Sequence, residues 1–147
     1  LSFLIAFMII FLSIVFLFKS KKLAILSILP NVLPLMVAGA IMGYLDIKLR
    51  PSTAMTFSIA LGIAVDDTIH FLSRFRKEFK IYKNHSMAIK ATLLTTGKAI
   101  INTTIILGLG FVVFIFSEFV PNHEFGILAT IILIVALAGS MILLPVL

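Results

Sequence analysis

Cysteine is missing from all 147 residues. That excludes disulfides, thiol chemistry and any metal site built on thiolates. Charge is scarce as well: Asp, Glu, Lys and Arg make up 12% of the chain, where a soluble domain carries roughly a quarter. The chain also lacks an opening methionine. It starts at Leu1 inside an apolar block, without a basic leader or a small-residue cleavage site. No signal peptide is read there, and the sequence is expected to be a piece of a longer protein. What it has in abundance is apolar residues, 61% of the total, with a mean hydropathy of +1.23.

Those residues come in blocks rather than alternating with polar ones. Five blocks stand out, at about 1–18, 23–45, 53–72, 99–116 and 125–147. Each is near the ~20 residues a helix needs to cross ~30 Å of hydrocarbon. The expected fold is therefore all-α, a polytopic bundle of five transmembrane helices in a single domain. The net charge of +6 is explained by where the charges fall. Ten basic residues sit in 19–22 and 74–98, against only Lys48 and Arg50 in the alternate loops. That asymmetry places the basic loops in the cytoplasm and marks contact with anionic lipid. Nucleic-acid binding is not expected.

The stretch 74–98 is too polar to span. Phe75, Phe79 and Tyr82 recur there at near-helical spacing among lysines, which suits an amphipathic helix at the cytoplasmic interface. An ordinary basic loop is the other reading. Ser86 is expected to cap a second short helix holding Met87, Ala91 and Leu94. "TTG" at Thr95 to Gly97 is then expected to turn the chain into the fourth segment.

The chemistry lies in "GIAVDDTIHFLSRFRKEF", from Gly62 to Phe79. Asp66 and Asp67 fall about thirteen residues into an apolar segment. A carboxylate at that depth costs on the order of 3 kcal/mol. Low dielectric and a like neighbour both disfavour the ionised form, so the pair is expected to share protons and titrate as a unit. Ser58, Gly62, Asp66 and His70 follow at intervals of four, on one helix face. Asp67 lies about 100° round, so the two acids are expected to face different surroundings. Asn102, Thr103 and Thr104 in the fourth segment lie near the same depth. They are candidate relay partners with His70 and Ser58, or the threonines bond their own helix backbone. His70 reads equally as an interfacial histidine. Gly62, Gly108 and Gly110 are read as helix-packing positions, and Pro30 and Pro34 as a kink in the second segment. No metal-ligand set and no cofactor are read.

These motifs resemble the resistance-nodulation-division superfamily, most closely its MMPL-type branch of exporters related to Patched-like proteins. "GIAVDDTIHFLSRFRKEF" resembles the fourth-helix motif of that superfamily. "LAILSILPNVLPLMVAGAIMGYLDIKLRPST" is similar to the preceding helix and outer loop. The stretch from Gly97 to the end is similar to the last two helices of a half. The resemblance implies the last five helices of one transporter half, lacking its first helix and its extracytoplasmic domain. It implies a multi-pass protein of the cytoplasmic membrane, not an enzyme, that exports lipids or other hydrophobic molecules on the proton-motive force. Asp66 carries the protons, with Asp67 beside it where many relatives have tyrosine. Implied partners are membrane lipids, protons, the other half and the extracytoplasmic domain, in an oligomeric assembly. A SecD/SecF-like translocation accessory and a non-transporting, sterol-sensing-like membrane domain are the alternatives. An intramembrane aspartyl protease is disfavoured, because two adjacent acids on one helix cannot face one another across a water.

Overall fold

A computed structural model describes residues 21–146 and the isolated positions 5, 8, 9 and 12, with side chains throughout from Pro30 onward. The expected first segment, about 1–18, lies outside the described residues apart from those four positions, which are helical. The rest is an all-α, multi-pass membrane helix bundle. Three stretches are long and apolar enough to cross a membrane: Pro51–Tyr82, His85–Ile115 and Val120–Val146. The apolar part of the preceding helix with described side chains, Pro30–Tyr44, is shorter.

Helix α1 spans Lys21–Tyr44 and contains Pro30 and Pro34, both fully buried. Pro34 has no N–H to offer the carbonyl of Pro30, four residues back. That carbonyl meets Gly139 of the last span, where an added Cβ would stand 3.4 Å from it. After a loop with Asp46 in the left-handed region (φ 52°), α2 runs over Pro51–Tyr82. Thr53 starts it, its hydroxyl accepting the Arg50 N–H at 2.8 Å.

α2 does not stop at the expected residue 72. No Gly or Pro interrupts 63–82, and Arg74 pairs with Glu78 one turn on at 2.7 Å, so the helix continues for ten more residues. It ends at Lys83, whose left-handed backbone (φ 51°) lets its N–H reach the Phe79 carbonyl. Asn84 caps α3, His85–Thr92, by accepting from Ser86 N and Met87 N. This corrects the expectation for Ser86, which sits at the second helical position and is served by the cap rather than being it.

The expected turn at Thr95–Gly97 is also corrected. Leu93–Gly97 forms one π-helical turn, and Gly97 itself keeps right-handed helical angles (φ −58°, ψ −43°). Helix α3, this turn and α4, Lys98–Ile115, thus run on without reversal. Helix α5, Val120–Ala138, passes through a second π-helical turn at Gly139–Leu143 into α6, Leu144–Val146.

Helix α2 is the centre, packing on α1, α3 and α5, while α4 packs on α5 and reaches α2 largely through the first π turn. One core cluster joins Leu61, Val65, Phe71 and Leu72 of α2 to Ile100 and Leu144. A second joins Ala38 and Met42 of α1, Ala60 of α2, and Leu128 and Ile132 of α5. Half of the apolar window of α2 is buried, against 11% of the window that ends in α4. The opposite end of the bundle is tied by Arg50 and Glu124, 3.2 Å apart, and by His123 Nδ1, 2.6 Å from the Ile115 carbonyl.

Gly62, Gly108 and Gly110, expected as packing positions, meet no neighbour among the described residues. A Cβ added at Gly62, Gly108 or Gly110 would meet nothing within 4 Å. All three lie on faces that no described helix covers. The close approach is at Gly126, where a Cβ would stand 2.8 Å from Ile115 N and 2.9 Å from Phe114 C. Gly126→Ala should therefore destabilise the bundle by about 1–3 kcal/mol, as overpacking does, despite gaining up to ~1 kcal/mol of helix propensity. Gly110→Ala has the propensity gain alone and should be neutral or stabilising. Thermal unfolding in detergent checks both, and equal midpoints for the two variants would contradict the close α4–α5 contact.

Candidate functional site

The two acids part company as helix geometry requires. Asp66 lies on the open face of α2 with Ser58, Gly62 and His70, all exposed. Asp67 points inward and is 7% exposed. One turn of α2 therefore offers one carboxylate to the surroundings of the chain and one to its interior. His70 Nε2 is 3.4 Å from Asp66 Oδ1 across one helical turn. Asp67 Oδ2 is buried, with no hydrogen-bond partner among the described residues.

The space between α2 and the π turn with the start of α4 is a cleft of about 340 Å³. Asp66, Asp67 and His70 line one wall, and Thr95, Thr96, Ala99, Ile100 and Thr103 line the other. The cleft exists because α4 leans on α5 and meets α2 chiefly at the turn. It is roomy and polar enough on one side for water to enter.

Of the three side chains expected from the fourth segment, only Thr103 lines this cleft. Successive residues of a helix point about 100° apart, so three in a row cannot all face one neighbour. Asn102 is exposed and Thr104 is buried elsewhere. The Thr103 hydroxyl donates to its own helix at Ile100 O, 2.9 Å away. Ser58 lies on the stripe above Asp66 but does not line the cleft.

Sequence reasoning missed four residues. Thr95 and Thr96 fall in the expected turn into the fourth segment, and the uninterrupted helix puts them opposite the acids instead. Asn31 of α1 and Thr68 of α2 form a buried pair beside Asp67. The Thr68 hydroxyl lies 3.0 Å from Asn31 Oδ1 and 2.9 Å from the Ala64 carbonyl. Both side chains are almost wholly buried. One signal was available, since Asn31 is the single amide in the apolar run 23–45. Among the described residues no three His, Asp or Glu side chains gather to hold a metal ion.

A multi-pass helix bundle with an acidic doublet on its central spanning helix defines an integral membrane protein of the polytopic class. The chain belongs to the MMPL family, whose model matches residues 1–147. It is 30% identical over 100 residues to the membrane protein MJ1562 of Methanocaldococcus jannaschii. That match covers 68% of this chain and 26% of the relative's length. No solved structure matches the chain. Family and spans together make it a multi-pass protein of the cell membrane.

The Asn31–Thr68 bond is the polar contact that joins α1 to α2 beside the acids. A double-mutant cycle with Asn31→Leu and Thr68→Val, read by unfolding in detergent, should give a coupling of about 0.6–1.7 kcal/mol. No measurable coupling would mean that the two side chains do not bond.

Proposed function

We propose that this chain is the membrane-embedded part of a proton-driven exporter of lipids or other hydrophobic molecules, with Asp66 and Asp67 as its proton relay. The observation that carries this reading is Asp67 Oδ2, buried in the middle of a spanning helix with no hydrogen-bond partner among the described residues, beside an open Asp66. An acid inside a membrane is costly and by default functional. A buried acid oxygen without a hydrogen-bond donor among the described residues is most easily kept there as part of a carrier of a removable proton. Membership of the MMPL family supports the transporter class.

In this reading a proton arriving from outside is taken up at the doublet. Uptake removes the charge that α2 otherwise holds against its apolar neighbours, and the cleft between α2 and α4 can narrow. Release toward the basic, cytoplasmic end restores the charge and reopens it. A potential of ~100 mV supplies about 2.3 kcal/mol per proton, enough to bias a two-state helix arrangement some tens-fold. His70, next to Asp66 and nearer the basic end, is placed to pass the proton on. The other half, the extracytoplasmic domain and an oligomeric assembly belong to the whole protein, and cargo would be handled outside the bundle.

The test is proton flux in liposomes holding the full-length protein. Asp67→Asn and Asp66→Asn should each abolish flux driven by a pH gradient or potential while insertion and thermal stability persist. Wild-type flux in both variants would sink the relay. Absence of flux from the wild-type protein would favour the non-transporting alternative.

A further inference from the structure

Asp67 needs a donor when ionised, and among the described residues the cleft holds one hydroxyl whose hydrogen is not already used. Thr103 is spent on Ile100 O at 2.9 Å. Thr95 is spent on Ala91 O at 2.8 Å. Thr68, on the other side of Asp67, faces Ala64 O and Asn31. Thr96 lines the same cleft as Asp67 and makes no hydrogen bond among the described residues.

Thr92 and Thr95 each return their hydroxyl hydrogen to the carbonyl four residues back, as threonine does in an α-helix. Thr96 lies with Thr95 in the π-helical turn Leu93–Gly97, yet its hydroxyl makes no such bond among the described residues. The charged and titratable groups around Asp67 are few. Asp66 and His70 flank it on α2, and Lys98 follows the turn at the start of α4, outside the cleft lining. The described parts of α1 and of the second π turn that pack near it carry none.

We infer that Thr96 is the positioning residue for Asp67. Its hydroxyl donates to the ionised carboxylate, directly or through one water. When a proton binds Asp67, the new acid O–H donates to Thr96 Oγ1. The Thr96 hydrogen then turns to a carbonyl of its own helix, as that of Thr95 does. This rests on the relay reading for its purpose, but not for its chemistry.

The experiment is an infrared titration of the full-length protein in liposomes, following the carboxyl C=O band that Asp67→Asn removes. Thr96→Val and the smaller Thr96→Ala each remove the donor, so Asp67 should bind its proton about tenfold more tightly, moving the band's midpoint up by about one pH unit. Thr96→Ser should keep the wild-type midpoint. A midpoint unmoved in both hydroxyl-less variants, or moved equally in Thr96→Ser, overturns the assignment. A shifted midpoint in a protein that shows no proton flux would uphold Thr96 and reject the relay alone.

Discussion

The constraint that organises this bundle is the burial of a carboxyl group in a helix whose other neighbours are apolar. Asp67 cannot be satisfied by its own backbone, because the carbonyls and amides of α2 are already paired with one another. It must find donors across helix boundaries or do without a full set. Around it the helices part with regular packing: α1 carries two buried prolines, α5 gives way to a π turn, and the helix that ends in α4 widens into another. The polar side chains Asn31, Thr68, Thr96 and Ser140 sit within or beside these irregular places.

Irregular backbone inside a membrane is tolerated where neighbouring groups restore the lost bonds or a cavity admits water. The two π turns are not independent features. A Cβ on Gly97, in the first, would lie 3.5 Å from Met141 Sδ in the second. Gly139, opening the second, lies against the Pro30 carbonyl, to which Pro34 has no N–H to donate. Ser140, next to it, turns its hydroxyl to the Ala136 carbonyl at 2.7 Å. A layer of softened helix thus runs from α1 through the second turn to the first, and Asp67 faces it from α2.

Much of this was legible in the sequence. The apolar blocks announced the spans, and the step of 100° per residue foretold that Asp66 and Asp67 would point apart. Only their surroundings were hidden. Thr95 and Thr96 were misplaced because a glycine after two threonines reads locally as a turn, whereas Gly97 is kept helical by packing that no short window contains. The over-long α2 escaped notice because hydropathy marks where apolar residues stop, and helices stop only where a backbone breaker or cap appears. Ser86 and Asn84 were confused because both residue types cap well, and a shift of two residues lies within the uncertainty of any helix end. The packing of the glycines was hidden for a different reason. Gly62, Gly108 and Gly110 form a plausible pattern, yet which face of a helix is covered depends on where α4 leans, and that is a tertiary outcome.

The cross-links between helices have an uneven distribution with a mechanical consequence. Arg50–Glu124 joins the start of α2 to α5, and His123 clamps α5 to the end of α4, all at one extremity. Asp66–His70 and Arg74–Glu78, by contrast, each lie within α2. A bundle fastened at one rim behaves as a pair of tongs. Small changes of angle at the fastened rim become larger displacements at the far tips, so whatever shifts α2 against α4 will be felt most at the far hairpin of α2 and α3.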